Sequence, residues 1–386
     1  MREVLLFLGI AVLACPPSLA TTPPPAWSLN NAASAREEDE KEQVQKHLLE
    51  LPAPYWYKDD SLGRAARRSL DDGLAYLAKR MTESEDGALP VSDGRREEFA
   101  PVGISALGCL AFMAVGSTPG RGPYGNEVNR ILDYLLRHTN LSPGEREFGY
   151  ISAQGDLKSE MHGHGYGTLA LAEAYGMTGS ERLRPALLAA VRLIEKTQGS
   201  EGGWYYNPRR EAQHEGSITI CLVQALRAAR NSGISVDGGV IRTAEDYVRR
   251  LQKDDGTFRY QLGDERSSVA LTGAAITTLN MAGRYDDTII QSAIDAIWSG
   301  LGLVEEGVRR TADWTFYERL YIAQAFWQLS DTSHFERWYD EERAKIVRTQ
   351  RKDGGWRGTR FGDCYATSIN CLVLATPEGV LPIFQR

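Results

Sequence analysis

Apolar residues recur at three- and four-residue spacing through most of the chain after Ser61, and sustained period-two alternation is almost absent. That periodicity belongs to helices with a buried face, so it predicts an all-helical protein. The helices come in pairs. First members are predicted over about 63–80, 126–138, 183–197, 240–252, 288–298 and 335–350, and second members over about 102–115, 165–175, 216–231, 269–281, 315–329 and 366–374. The first helix of each pair is amphipathic and charged, as a half-exposed helix should be. The second is apolar nearly all round and rich in small residues, as in Ala270-Leu271-Thr272-Gly273-Ala274-Ala275-Ile276. A helix without a polar face is buried on all sides. Six exposed helices alternating with six buried ones predict a closed double ring, an (α/α)6 toroid spanning residues 61–386. An open solenoid would instead need polar caps at its ends.

A turn repeats between the members of a pair. Gln198-Gly199-Ser200-Glu201-Gly202-Gly203-Trp204, Gln252-Lys253-Asp254-Asp255-Gly256-Thr257-Phe258 and Gln350-Arg351-Lys352-Asp353-Gly354-Gly355-Trp356 each place Gln six residues before an aromatic, with Gly between. A period of roughly fifty residues marks an array of like supersecondary units. Gly is expected to end the outer helix in a left-handed conformation, letting the aromatic pack back across the pair. The first repeat offers Asp86-Gly87-Ala88-Leu89, the second Gly144 and Phe148, and the fifth only Gly300-Leu301-Gly302.

The chain ends read differently. Arg2, an apolar run from Val4 to Ala14 and the small residues of Ser18-Leu19-Ala20 fit a secretory signal peptide over 1–20, too short to span a bilayer. Val12-Leu13-Ala14-Cys15 also fits a lipoprotein signal with Cys15 lipidated. Both readings export the protein. Residues 21–60 read as a linker, Pro-rich at first, then a charged, solvated helix over about 35–51 that Pro52 and Pro54 end. No later stretch is apolar enough for a membrane span. The formal charge of −7 without a basic cluster argues against a nucleic-acid surface. Cys109, Cys221 and Cys371 sit in apolar helical patterns as small hydrophobes, and no disulfide framework is expected. Cys364, near a helix start, is the one thiol whose pKa that position would lower.

The Gln, Gly and Trp turn within six helix pairs resembles the terpenoid cyclase and protein prenyltransferase α/α-toroid superfamily. Squalene–hopene cyclases carry such repeats, as does the prenyltransferase/squalene oxidase repeat. The resemblance runs from about Leu62 to the C-terminus and implies a central cavity for an isoprenoid-like ligand. The superfamily's activities each require a motif. The acidic doublets Asp59-Asp60, Asp71-Asp72, Asp254-Asp255 and Asp286-Asp287 form neither the Asp-x-Asp-Asp acid of class II cyclases nor the Asp-Asp-x-x-Asp magnesium motif. Asp313-Trp314-Thr315 and Asp363-Cys364-Tyr365-Ala366-Thr367 lack the thiolate or the imidazole that completes a prenyltransferase zinc site. The Cys-Gly-Glu-Gln thioester sequence is absent.

With every turn at one end of the ring, the N-termini of all inner helices meet at one mouth, where their dipoles favour anions or polar acceptors. His162, His164, His214, Glu215, Asp264, Arg266, Asp313 and Asp363 stand just before those helices, with Tyr166, Trp314, Tyr317 and Tyr365 within a turn. Converging titratable and aromatic groups make this the candidate site. His164, His214, Asp313 and Asp363 are the candidate acid and base groups; His162, Tyr166, Glu215, Trp314, Tyr317 and Tyr365 are the candidate substrate contacts. Asp313 and Asp363 also fit as helix N-caps, worth about 1 kcal/mol each. Two His in the Gly-rich stretch Glu160-Met161-His162-Gly163-His164 suffice for a loop contact more readily than for a metal, so neither a metal nor a cofactor is expected.

Two function classes follow. One is an exported enzyme acting on an isoprenoid, or on a glycan, since other α/α toroids process sugars with paired carboxylates and aromatic platforms. The other is a non-catalytic scaffold or binding module that keeps the ring without the chemistry. An enzyme requires at least two of the four acid and base candidates within hydrogen-bond reach.

Overall fold

A computed structural model describes residues 60–90, 100–154, 156, 159–280, 288–305 and 314–384. They lie in the compact unit Tyr55–Arg386. The signal segment, the linker helix and Asp313 fall outside the described residues.

Twelve α-helices occur among them. The odd-numbered ones are the outer set: α1 (Ser61–Met81), α3 (Gly125–Arg137), α5 (Arg184–Thr197), α7 (Gly238–Arg250), α9 (Thr288–Glu305) and α11 (Ser333–Thr349). The inner set is α2 (Pro101–Met113), α4 (Glu160–Thr178), α6 (Gly216–Asn231), α8 (Val269–Asn280), α10 (Thr315–Trp327) and α12 (Gly362–Ala375). The inner helices touch in a cycle, α2 with α4, α4 with α6, and so on to α12 with α2, while α11 meets α1. The double ring is therefore closed.

Each layer follows from its sequence pattern. In α3 the buried Val128, Ile131, Leu132 and Leu135 form a single stripe, whereas every residue of α2 is buried. The helix α4 begins at Glu160, five residues before the expected start, so His162 and His164 lie on the helix rather than in a loop. Its glycines lower helix propensity but allow close approach. A Cβ on Gly163 would stand 2.6 Å from the Ser159 Cβ, and one on Gly165 2.6 Å from the Cys221 Sγ of α6. Likewise α12 starts at Gly362, placing Asp363 in its first turn.

The repeated turn is a clasp between neighbouring repeats. The outer helices α5 and α11 end on Gln198 and Gln350 in extended conformations, so Gln closes each helix and the left-handed glycine comes four residues later. The Gln198 side-chain amide donates to the Gly202 carbonyl and to the Val240 carbonyl of α7, both at 2.8 Å. Gln252 does the same to Gly256 and to Ile289 of α9. Gly202, at φ 96°, lies against α7 so closely that a Cβ would meet the Thr243 carbonyl oxygen at 2.3 Å. Only glycine fits both that φ and that contact.

The clasp register is Gly-x-apolar: Gly87-Ala88-Leu89, Gly149-Tyr150-Ile151, Gly202-Gly203-Trp204, Gly256-Thr257-Phe258 and Gly354-Gly355-Trp356, each Gly at positive φ. The second clasp thus uses Gly149, while Gly144 stands in the exposed loop. Gly300 and Gly302 lie inside α9, which continues to Glu305; without the Gln and aromatic that make the turn, the helix does not stop there. Trp204 and Trp356 are buried, and their indole N–H groups donate back to the Ile194 and Ile346 carbonyls at 2.8 Å. Truncating either to Ala should cost roughly 3–5 kcal/mol.

Past α12 the chain turns across the opposite end of the ring. The 3-10 segment Pro382–Phe384 packs on α4 and α6, with Leu381 and Ile383 buried. Gln328, just after α10, donates to the Ile383 carbonyl at 3.2 Å. The tail covers that end of the ring and leaves the inner-helix N-termini as the end that holds a cavity.

Candidate functional site

A cavity of about 430 Å³ opens among the N-terminal turns of all six inner helices. Its buried apolar lining is Ile104 and Leu107 of α2 and Leu271 of α8, beside the rings of Tyr166, Tyr317 and Tyr365. The two charged residues of the described lining, Glu160 and Arg360, stand at or just before helix starts, beside Trp314, Tyr206 and Tyr260. The Arg360 guanidinium sits 5.5 Å from the Trp314 ring centre and 5.9 Å from that of Phe361, a cation–π arrangement that fixes one side of the mouth.

Below the cavity the axis is filled by a buried polar column. The Tyr166 and Tyr321 hydroxyls approach at 3.3 Å, Tyr321 donates to the Gln224 side chain at 3.1 Å, and Gln224 donates to Gln324 at 2.7 Å. The Tyr317 ring packs on Tyr321 with centres 4.5 Å apart. Burial pushes the Tyr166, Tyr317 and Tyr321 hydroxyls far above the usual phenol range, so they stay neutral. The column closes the cavity on that side.

On its α4 and α6 side a hydrogen-bonded chain leads out of the cavity. His162 Nε2 lies 3.2 Å from the Ser217 hydroxyl, and Ser217 donates to Glu215 Oε2 at 2.6 Å. Glu215 is the N-cap of α6, its Oε2 also accepting the Ile218 amide at 2.9 Å. His162 and Ser217 line the cavity, whereas Glu215 is buried behind them and its Oε1 has no partner among the described residues. Burial lowers the His162 pKa to about 4 and raises that of Glu215.

Among the sequence candidates, His162, Tyr166, Trp314, Tyr317 and Tyr365 come together at this cavity. His164, His214 and Asp363 do not line it. His164 points toward the outer layer, its Nδ1 accepting the Ile151 amide at 3.2 Å. In the other clasps Leu89, Trp204, Phe258 and Trp356 donate their amides to hydroxyls of Ser105, Thr219, Thr272 and Thr367 at 2.9–3.1 Å. His164 thus holds the position of a clasp hydroxyl, and burial drives its pKa down to about 3. His214 packs on the third clasp, its Nε2 at 3.2 Å from the Glu211 carbonyl and its ring edge-on to Tyr247. Asp363 accepts the Gly358 amide at 2.7 Å and pairs with Arg351, tying the last clasp to α12. None of these three bonds to another.

Asp264 and Arg266 pair with each other at the surface. Cys364 does not have the lowered pKa its position suggested: it is buried, and desolvation pushes the thiol up to about 12. The expected focus of amide dipoles is also reduced, because the first amides of α4 and α6 are already used. Met161 donates to the Tyr206 carbonyl at 3.2 Å and Gly216 to the Tyr260 carbonyl at 2.6 Å. Among the described residues no three His, Cys, Asp or Glu side chains gather as a metal-binding group.

Sequence reasoning missed Ser217, Tyr206, Tyr260, Arg360 and the lining role of Glu160. A signal existed for two of them. Tyr206 and Tyr260 each stand two residues after a clasp aromatic, Trp204 and Phe258, so a common register carries both to the mouth. Glu160 has φ 42°, a left-handed conformation rare outside glycine, and nothing in the residue type announces it.

No protein-family model and no curated protein matches the chain. Solved structures do. An inactive variant of an α-1,6-mannanase from Salegentibacter sp., in complex with α-1,6-mannotriose, superposes with a TM-score of 0.59 at 10% identity, covering 83% of this chain and 100% of that one. An α-amylase from Clostridium perfringens gives 0.56 at 12% identity, covering 81% and 97%. A type II terpene cyclase from Scytonema gives 0.52 at 16% identity, covering 82% and 100%. At these identities the likeness speaks for the fold, and the chain is an α/α toroid of the architecture that these glycan- and terpene-processing proteins share.

Proposed function

We propose that this protein is exported and binds a small isoprenoid-like molecule in the toroid cavity, apolar body against the floor and polar end at the mouth. The observation that carries this reading is the split between an apolar lining of Ile104, Leu107, Leu271 and tyrosine rings, read here as the floor, and helix starts that hold both charged residues of the described lining. Apolar surface removed from water on that floor contributes roughly 25 cal/mol per Å². The likeness to a terpene cyclase fold supports the same ligand class. His162, Tyr166, Trp314, Tyr317 and Tyr365 are the proposed ligand contacts.

Binding without turnover is the form we favour. The retaining and inverting hydrolysis of glycosides takes two carboxylates flanking the bond, and Glu160 is the one carboxylate among the described lining residues. The mannanase is inactivated by replacing two consecutive Asp. Here Asp71-Asp72 lies exposed on outer helix α1 and Asp254-Asp255 on an exposed turn. A glycan ligand keeps support from the aromatic mouth and from the mannanase fold likeness, as the second reading. His164, His214 and Asp363 serve as clasp and packing residues in this proposal, and Asp313, adjoining Trp314 in sequence, is the acid–base candidate retained for mutagenesis.

The test is calorimetric titration of the purified protein with farnesol, geranylgeraniol and α-1,6-mannotriose. Saturable binding of the prenyl alcohols, weakened about tenfold or more by Leu271→Asp, is the expected result. Binding of mannotriose with none of the alcohols would overturn it in favour of the glycan.

A further inference from the structure

We infer that Glu215 and Ser217 set the proton position on His162 so that its Nδ1 is a hydrogen-bond acceptor for a hydroxyl group of the molecule held in the cavity. This rests on the proposal that the cavity is a ligand site, and it names the chemical group the site selects.

The argument is one of donor accounting. The Ile218 amide can only donate, so Glu215 Oε2, at 2.9 Å from it, acts as an acceptor. The Ser217 hydroxyl, 2.6 Å from the same oxygen, then spends its single proton there. This holds whether Glu215 is ionised or carries its proton on the unpartnered Oε1. Ser217 Oγ is left with lone pairs alone facing His162 Nε2 at 3.2 Å. That nitrogen must supply the proton. A neutral imidazole with Nε2–H has a bare lone pair on Nδ1, and burial keeps the ring neutral. The ring lines the cavity, so the lone pair is the acceptor that the α4 wall offers to a bound molecule. An alcohol satisfies it; an ether or hydrocarbon of the same shape leaves it desolvated and unpaired, the situation in which polar sites discriminate most strongly.

Glu215 and Ser217 are positioning residues in this scheme, so their test needs a readout that folding alone does not move. Nitrogen-15 NMR of the ligand-free protein should show His162 as the Nε2–H tautomer. Ser217→Ala should shrink that preference to the weaker Nε2–H bias of a free imidazole, and Glu215→Gln, which still accepts the Ile218 amide, should shrink it in part. An Nδ1–H tautomer in the wild-type protein overturns the inference outright. In parallel, farnesol should bind about tenfold or more tightly than farnesyl methyl ether, and His162→Phe should remove the difference. Equal binding of the two overturns hydroxyl selection while leaving the cavity proposal standing. If neither binds, the cavity proposal itself falls and hydroxyl selection falls with it, while the NMR result still decides the tautomer.

Discussion

The side-chain amide of Gln350, in the last clasp of the chain, donates to the backbone carbonyl of Ser69 in its first helix at 2.8 Å. The same amide holds the Gly354 carbonyl at 2.7 Å, so both its N–H groups are spent. A Cβ on Gly354 would approach the Asp72 carbonyl oxygen to 2.4 Å, which shows how tightly this clasp sits on α1. Gln198 and Gln252 make the same bond to the next outer helix, but only the Gln350 bond joins the two ends of the array. Gln350→Ala should lower stability by about 1–3 kcal/mol, and hydrogen exchange should quicken in α1 and α11 ahead of the other outer helices. Gln350→Glu should do at least as much harm, since a carboxylate cannot donate. Wild-type exchange in α1 for either variant would show that ring closure does not depend on this bond.

His164 carries a second prediction. It is the only imidazole among the described clasp acceptors, and it satisfies the buried Ile151 amide. His164→Ala leaves that amide unpaired and opens a void in the layer between α4 and the outer ring. The expected loss is on the order of 2–4 kcal/mol, read from chemical denaturation. Ligand affinity in the folded fraction should be unchanged, because His164 does not line the cavity. Full stability with abolished binding would return His164 to the list of acid and base groups.

The tail that covers the other end of the ring predicts a pH dependence. Glu173 of α4 is buried, its Oε2 has no partner among the described residues, and the Ile383 backbone amide faces its carboxyl group. Desolvation raises its pKa from 4.5 to about 8. Between those values the folded protein holds a proton that the unfolded chain has released, so stability from this group is full below about pH 4.5 and is lost as pH rises through about 8. The loss should amount to a few kcal/mol, roughly 1.4 kcal/mol for each pH step. Glu173→Gln keeps the polar contact to Ile383 without the charge. Denaturation midpoints of that variant should fall less over pH 5–8 than those of the wild type; parallel curves would rule out Glu173 as the cause.

Architecture was legible because it is written in repeating features. The alternation of charged and apolar helices placed all twelve described helices, and the Gln and aromatic spacing located three of the five described clasps. What could not be read was which way a side chain faces at a helix start. His162 and His164 differ by two residues, so a helix turns them about 200° apart, one to the cavity and one to the outer layer. Reading them as a loop hid that distinction, since Gly163 and Gly165 suggest a loop and instead serve close helix contact. Asp363 and Glu215 look alike as acids at helix starts. Arg351 claims the first, whereas Ser217 turns the second toward the cavity wall. Arg351 lies twelve residues before Asp363 and Ser217 two after Glu215, and the folded backbone made each assignment.

Tyr317 gives the sharpest separation between the two ligand classes. Tyr317 lines the cavity, and its buried hydroxyl bonds to no group among the described residues. An unpaired buried hydroxyl costs about 1–3 kcal/mol, so Tyr317→Phe should leave the free protein as stable as the wild type or slightly more so. An isoprenoid body seated on this floor presents only hydrocarbon to the hydroxyl, so the variant should bind farnesol as well as the parent or better. A sugar that reached the hydroxyl by a small shift of the ring would pair with it, and losing that bond should weaken sugar binding about tenfold. Parallel titrations of wild type and Tyr317→Phe with both ligands measure this directly. A tenfold loss for farnesol would mean that its polar end reaches the floor, and the ligand orientation proposed above would have to be reversed.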